Sequence, residues 1–160
     1  MTQPIEHEAA QPTSPRLPPR FVIRLAWIGH RAMYRVTGHR RGLWPPTESR
    51  WGTMLLTTTG RKSGKRREAI LGYFQDGPNL VTLAMNGWGA PEPAWWLNLQ
   101  AQPEARAELK DGNRAVRGRA AEGEERERLW ALWSRYNPDL DGYAAKRDRE
   151  TAVVVLEPAP

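Results

Sequence analysis

The sequence has no cysteine in its 160 residues, so no disulfide framework, thiolate metal site, iron–sulfur cluster or cysteine nucleophile is open to it. That composition fits a reducing, cytoplasmic setting. Histidine is nearly as scarce: His7, His30 and His39 all precede the stretch where strands are expected. Histidine-based zinc sites, a Ser-His-Asp triad and a core histidine ligating haem are therefore removed from the core. Asp139, Asp141 and Asp148 lack the glycine-containing loop and closing glutamate that calcium requires, and read as solvated charge. No metal is expected, and any redox chemistry would come from a bound cofactor.

A secretory signal and a membrane-spanning run are also missing. Residues 1–19 hold five of the fourteen prolines and few large apolar side chains, and read as a disordered leader. Residues 20–37 read as an amphipathic helix with Arg20, Arg24, Arg31 and Arg35 in one stripe, too charged to cross a bilayer. Two readings of it stand. The helix lies on an anionic membrane surface with Trp27 and Tyr34 at headgroup level, or its apolar face packs on the chain's own domain. Residues 38–160 then form one domain, since the length suits a single modest core.

Positive charge and tryptophan are plentiful. A formal net charge of +6 favours an anionic partner, such as a phosphorylated cofactor, an anionic membrane surface or nucleic acid. Much of that charge sits at one point: five of the eight residues from Gly60 to Arg67 are Lys or Arg, directly after the Thr-rich run Leu55-Leu56-Thr57-Thr58-Thr59. Two glycines there let the backbone turn sharply, guanidinium groups bind phosphate oxygens in pairs, and Ser63 adds a hydroxyl. The plain alternative is an exposed basic hairpin turn. It is not a Walker A loop, because Gly60 and Gly64 are separated by three residues and Lys65 is followed by Arg66 instead of Ser or Thr.

Period-2 and β-branched patterning predicts strands near 52–59, 67–75, 80–85, 105–110, 114–121 and 152–157, with hairpin turns at Asp76-Gly77-Pro78-Asn79 and Asp111-Gly112-Asn113. Helices are expected over 93–100, 124–136 and about 139–147. Six short antiparallel strands with a few helices give a mainly β, α+β reading: a small β-barrel with helical packing.

Two further segments could carry chemistry. In Ala84 to Leu99, a strand end leads through a glycine-containing loop into a helix with paired tryptophans. Trp95 and Trp96 point about 100° apart on a helix, so one can enter the core while the other lines a pocket, although both could be core bulk. Asn86 and Asn98 could hydrogen-bond a ring carbonyl or imide edge. In Tyr136 to Tyr143, a link between helices could close over a site, with Tyr143 donating to a substrate carbonyl or merely anchoring the loop.

Taken in order, Leu-Leu-Thr-Thr-Thr-Gly-Arg-Lys-Ser-Gly-Lys-Arg-Arg at 55–67, Pro-Ala-Trp-Trp-Leu-Asn-Leu at 93–99, Ala101-Gln102-Pro103 and Val153-Val154-Val155-Leu156-Glu157-Pro158 resemble the deazaflavin-dependent nitroreductase family of actinobacteria, also called F420-dependent quinone reductases. The resemblance implies a six-stranded split β-barrel of the flavin-reductase and pyridoxamine-oxidase kind. It also implies that reduced coenzyme F420, an 8-hydroxy-5-deazaflavin, passes hydride to an electron-poor lipophilic acceptor: a quinone, enone or nitro compound. By the same likeness Gly60, Arg61, Lys62, Ser63 and Arg67 would hold the phosphate and carboxylates of the cofactor tail. Leu83, Ala84, Met85, Asn86, Ala94, Trp95, Trp96 and Asn98 would border the ring, and Tyr143 and Leu140 would face the substrate.

The resemblance further implies an N-terminal helix at the inner face of the plasma membrane and pairing into a homodimer. Met85 stands where nitroimidazole-activating members have serine, Leu140 where they have a pocket tyrosine, and Ile70 where they have proline. Those differences suggest a more apolar acceptor. A related split barrel using FMN, a cofactor carrier without catalysis, and a barrel binding single-stranded nucleic acid are the competing readings. Clustering of the cations in one loop, instead of along a groove, argues against the last.

Overall fold

The computed structural model describes residues 42–89 and 91–160, so the expected leader at 1–19 and helix at 20–37 lie outside the described residues. Strands β1 (Gly52–Thr59), β2 (Arg66–Asp76) and β3 (Asn79–Leu83) form a meander. Helix α1 (Ala94–Ala101) follows, then β4 (Glu104–Leu109), β5 (Gly112–Ala120), α2 (Gly123–Tyr136), α3 (Leu140–Ala144) and β6 (Val153–Pro158). Among the described residues the six strands pair antiparallel in the order β1-β2-β3-β6-β5-β4, and β4 returns to β1 to close the barrel. The predicted six-stranded barrel is thus the observed one.

Turn chemistry sets the meander. Gly77 has φ 59°, and Pro78 cannot take positive φ, so the loop joining Asp76 to Asn79 is of the type that needs glycine first. Strand β3 is shorter than the expected 80–85. It ends at Leu83 because the Met85 N–H turns back to the Leu83 carbonyl at 2.8 Å, while the Ala84 N–H still reaches Ala152 O at 2.9 Å.

Alternation along each strand divides the apolar side chains between two layers. Met54, Leu56, Leu71, Tyr73, Val116, Val154 and Leu156 point into the barrel, where Trp95, Trp96 and Leu99 of α1 plug it. Outside, Phe74, Val81, Leu83, Val153 and Val155 meet Leu129 and Trp133 of α2 and Leu140 of α3. Strand β6 is covered on both faces, so Val153 to Leu156 form an unbroken apolar run without the polar alternation of a half-exposed strand.

One close approach fixes the plug. A Cβ on Gly118 would lie 2.8 Å from Leu99 Cδ1 and 3.3 Å from Leu156 Cδ2. A larger residue there would push the Leu99 side chain aside, so the glycine suits the present seat of α1.

Candidate functional site

The basic loop is a closed four-residue hairpin. The Gly60 N–H donates to Lys65 O at 2.8 Å, and the Gly60 carbonyl accepts from the N–H groups of Ser63 and Gly64 at 3.1 and 2.7 Å. Gly64, at φ 63°, takes the left-handed position that ends the turn. At Gly60 the constraint is space: a Cβ would lie 3.0 Å from Ser63 Oγ and 3.1 Å from Lys65 O.

Residues Arg61 to Arg67 are all exposed. Ser63 Oγ lies 3.4 Å from both the Lys65 N–H and Arg67 Nη2, so the hydroxyl and the guanidinium converge. Arg66 pairs with Glu68 at 3.1 Å. Among the described residues, Arg61, Lys62, Lys65 and Arg67 have no carboxylate partner. Four cations at one turn with no counter-charge create a local positive field that favours an anion.

The turn is also anchored from within. Asn98 of α1 is 3% exposed, and its Oδ1 accepts the Arg61 N–H at 3.1 Å while its Nδ2 donates to Thr58 Oγ1 at 3.1 Å. Its side chain therefore ties α1 to the loop and to the end of β1. Trp95 and Trp96 are 7% and 6% exposed, with ring centroids 6.3 Å apart, and both belong to the plug. The buried face of α1 is wide enough to take both: Trp95, Trp96, Asn98 and Leu99 turn inward while Ala94, Gln100 and Ala101 are exposed, so an angular separation of about 100° does not send one of the two tryptophans outward.

The strand end and following loop lie at the other part of the expected site. Leu83 and Ala84 are buried, Met85 half-buried, and Asn86 and Ala94 exposed. Gly87 and Trp88 both have positive φ, 55° and 59°, and the Gly89 N–H closes the turn on Asn86 O at 2.9 Å. A tryptophan in this conformation is strained. Its indole stacks on Tyr143 with centroids 5.7 Å apart and planes 14° apart, and Lys146 Nζ lies 5.6 Å from the same phenol ring.

Of the two residues expected at the substrate, Tyr143 is half-buried in that stack. Leu140 is 1% exposed and packs in the outer core with Leu129 and Trp133, because the first turn of α3 faces the barrel wall. Among the described residues no group of three or more His, Cys, Asp or Glu could hold a metal ion.

Sequence reasoning missed Thr58, Trp88, Glu92 and Arg147. The Arg147 side chain is fully buried, and its Nη1 donates to Ala84 O at 2.9 Å and Thr151 Oγ1 at 2.8 Å, while Nη2 lies 3.3 Å from Glu92 Oε1. Glu92 and Arg147 are 55 residues apart, a distance at which no local pattern signals pairing.

Comparisons with known proteins agree with this geometry. The profile of the F420H(2)-dependent quinone reductase family matches residues 29–158. The F420H(2)-dependent quinone reductase Rv1261c of Mycobacterium tuberculosis is 30% identical over 134 residues, 79% of this chain and 86% of that protein. A solved F420-H2 dependent reductase, FDR-A, superposes with a TM-score of 0.60 at 33% identity, covering 66% of this chain and 93% of that one. A second solved chain, described as a domain-swapped dimer, gives a TM-score of 0.61 at 28% identity over 84% of this chain and 99% of its own. The barrel, the basic hairpin and these likenesses coincide: the chain belongs to the F420H(2)-dependent quinone reductase family.

Proposed function

We propose that this protein uses reduced coenzyme F420 to transfer hydride to an electron-poor, lipophilic acceptor of the quinone class. The observation that carries this reading is the basic hairpin, in which Arg61, Lys62, Lys65 and Arg67 have no carboxylate partner among the described residues and whose backbone is pinned by a buried asparagine. A merely solvated turn needs only its own closing bonds. The pinned turn instead holds its donors in place before a ligand arrives, which lowers the ordering cost of binding.

The residues fit an anionic tail. Arg61, Lys62, Ser63 and Arg67 would hold its phosphate and carboxylates through charge-assisted bonds. The segments 83–86 and 94–98 would border the ring, with Met85 adding apolar contact for the acceptor. Bound and reduced, the coenzyme supplies the hydride. The chain supplies orientation and a dry wall, and Tyr143 would donate a hydrogen bond to the acceptor carbonyl.

A lipophilic acceptor is concentrated in membranes, so residues 20–37 would bring the protein to an anionic inner surface as a peripheral protein. Among the described residues no helix is long and apolar enough to cross a membrane. Pairing into a homodimer is proposed on the likeness to the chain described as a domain-swapped dimer.

The test is titration of the protein with oxidised coenzyme F420, read by tryptophan quenching at low and high salt, with FMN and NADPH in parallel. Saturable quenching by the deazaflavin alone is expected. Arg61→Ala should weaken it about 10- to 100-fold, the worth of one hydrogen bond to a charged group, and salt should weaken it further. Quenching by FMN alone would move the protein to the flavin-using barrels. Steady-state assays with menadione then follow oxidation of the reduced coenzyme.

A further inference from the structure

A single buried guanidinium holds both ends of the loop expected to border the ring. Arg147 binds the carbonyl of Ala84, where β3 stops, and the carboxylate of Glu92, immediately before the Pro93 N-cap of α1. Between these two points lie Met85, Asn86 and the strained Trp88. The loop tip is held by the same segment, since Trp88 stacks on Tyr143, four residues before Arg147. The third contact, Thr151 Oγ1, ties the guanidinium to the residues just ahead of β6.

This pair is a poor device for stability. Arg147 Nε and Glu92 Oε2 are both buried without a hydrogen-bond partner among the described residues. Buried ion pairs left incomplete in this way are commonly matched or bettered by apolar residues of similar volume. What an apolar replacement could not do is grip a backbone carbonyl and a loop end at the same time. With its carbonyl taken by Arg147 and its N–H by Ala152, Ala84 has no backbone freedom left, and the turn from Met85 onward starts from a fixed point.

We infer that Arg147, through Glu92 and the Ala84 carbonyl, is a positioning residue that fixes the Met85–Gly89 turn against the cofactor ring and so sets the hydride-transfer geometry. The inference rests on the function proposed above. The two ends of the ligand then have separate supports: the basic hairpin governs how tightly the tail binds, and Arg147 governs how well the ring is placed.

Two variants test it, the second guarding against loss of folding when one buried charge is orphaned. Arg147→Lys keeps a cation beside Glu92 but not the fork that reaches three partners. Arg147→Met combined with Glu92→Leu removes both charges. Amide hydrogen exchange over residues 84–92 should rise about 10-fold or more in both variants, while exchange in β1 stays near wild type. With menadione, kcat should fall about 10-fold or more, as expected for a misplaced reactant, while the Kd for coenzyme F420 stays within about 3-fold.

Unchanged exchange over 84–92 in the double variant would overturn the holding role. Raised exchange with an unchanged kcat, or a Kd weakened as much as kcat, would overturn the positioning role. If the wild-type protein binds no coenzyme F420, the proposed function falls, and the exchange arm, which needs no cofactor, still decides whether Arg147 holds the loop.

Discussion

At the scale of single residues, Asn98 joins the two features that define the site. It sits on the plug helix, yet its amide spans Thr58 at the end of β1 and the backbone of Arg61 in the basic turn, 40 and 37 residues away in sequence. Asn98→Ala would leave a buried hydroxyl and a backbone N–H without partners, at a cost of about 1–3 kcal/mol. Thermal melts should show that loss, and quench titration should show weaker coenzyme binding as the turn loosens. Asn98→Asp separates position from charge. It keeps an acceptor for the Arg61 N–H but adds a negative charge beneath the anion site, so its binding defect should be larger at low salt than at high salt. A salt-independent defect would mean that Asn98 acts on the turn's shape alone. No spacing rule could have exposed this role, because both partners are distant in the chain. The same is true of Arg147, whose partners are brought together only by barrel closure.

At the scale of elements, the strands were legible because alternation and turn residues are local signals. β1 lies where the pattern put it, at Gly52–Thr59, and the Gly77-Pro78 turn follows from the φ that each residue permits. Ends set by tertiary bonds were not legible: β3 stops two residues early, and α3 spans only Leu140–Ala144 of the expected 139–147. Helix α1 shows the limit of helical periodicity, since its outer face carries the apolar Ala94, Leu97 and Ala101 while its buried face includes the polar Asn98. Its seat makes a prediction. Gly118→Val would drive a branched side chain into Leu99 and should cost about 1–3 kcal/mol, as overpacking does. Adding Leu99→Val should recover part of that loss, giving a non-additive double-mutant cycle in thermal or urea unfolding. Additive losses would show that Gly118 is needed for its backbone and not for the space it leaves.

At the scale of the whole molecule, α2 is strapped to the barrel by arginine–carboxylate forks at two places. Arg119 on β5 reaches Glu125 of α2 at 2.6 and 2.8 Å and Glu157 of β6 at 2.7 Å. Arg128 of α2 reaches Asp76 at the end of β2 at 2.9 and 2.7 Å. The guanidinium of Arg119 holds the Glu125 carboxyl, and that of Arg128 the Asp76 carboxyl, below the usual range, while Glu125 and Glu157 raise Arg119 further above any accessible pH. The sign follows. A carboxyl whose folded pKa is depressed adds stability that is fully present above the unfolded value, near pH 4, and is lost as pH falls through the lower folded value. Stability should therefore show no contribution from these straps to its pH slope between pH 7 and about 5, and should decline below about pH 4 as they release. The Glu125 and Arg119 side chains are 33% and 40% exposed, so solvent screening limits that fork to about 1 kcal/mol or less. The +6 charge steepens the decline, because each carboxylate neutralised by acid leaves more cations to repel one another. Urea unfolding at pH 3.5, 5 and 7 would test this with Arg119→Gln, which deletes the shared cation. The variant should lose stability at pH 7 and draw closer to wild type at pH 3.5, below the unfolded carboxyl value, where the contribution of the depressed Glu125 carboxyl has begun to be lost. If the gap between the two proteins stays constant across that range, the acid sensitivity resides outside the Arg119 fork, and the Arg128–Asp76 pair is the next strap to delete.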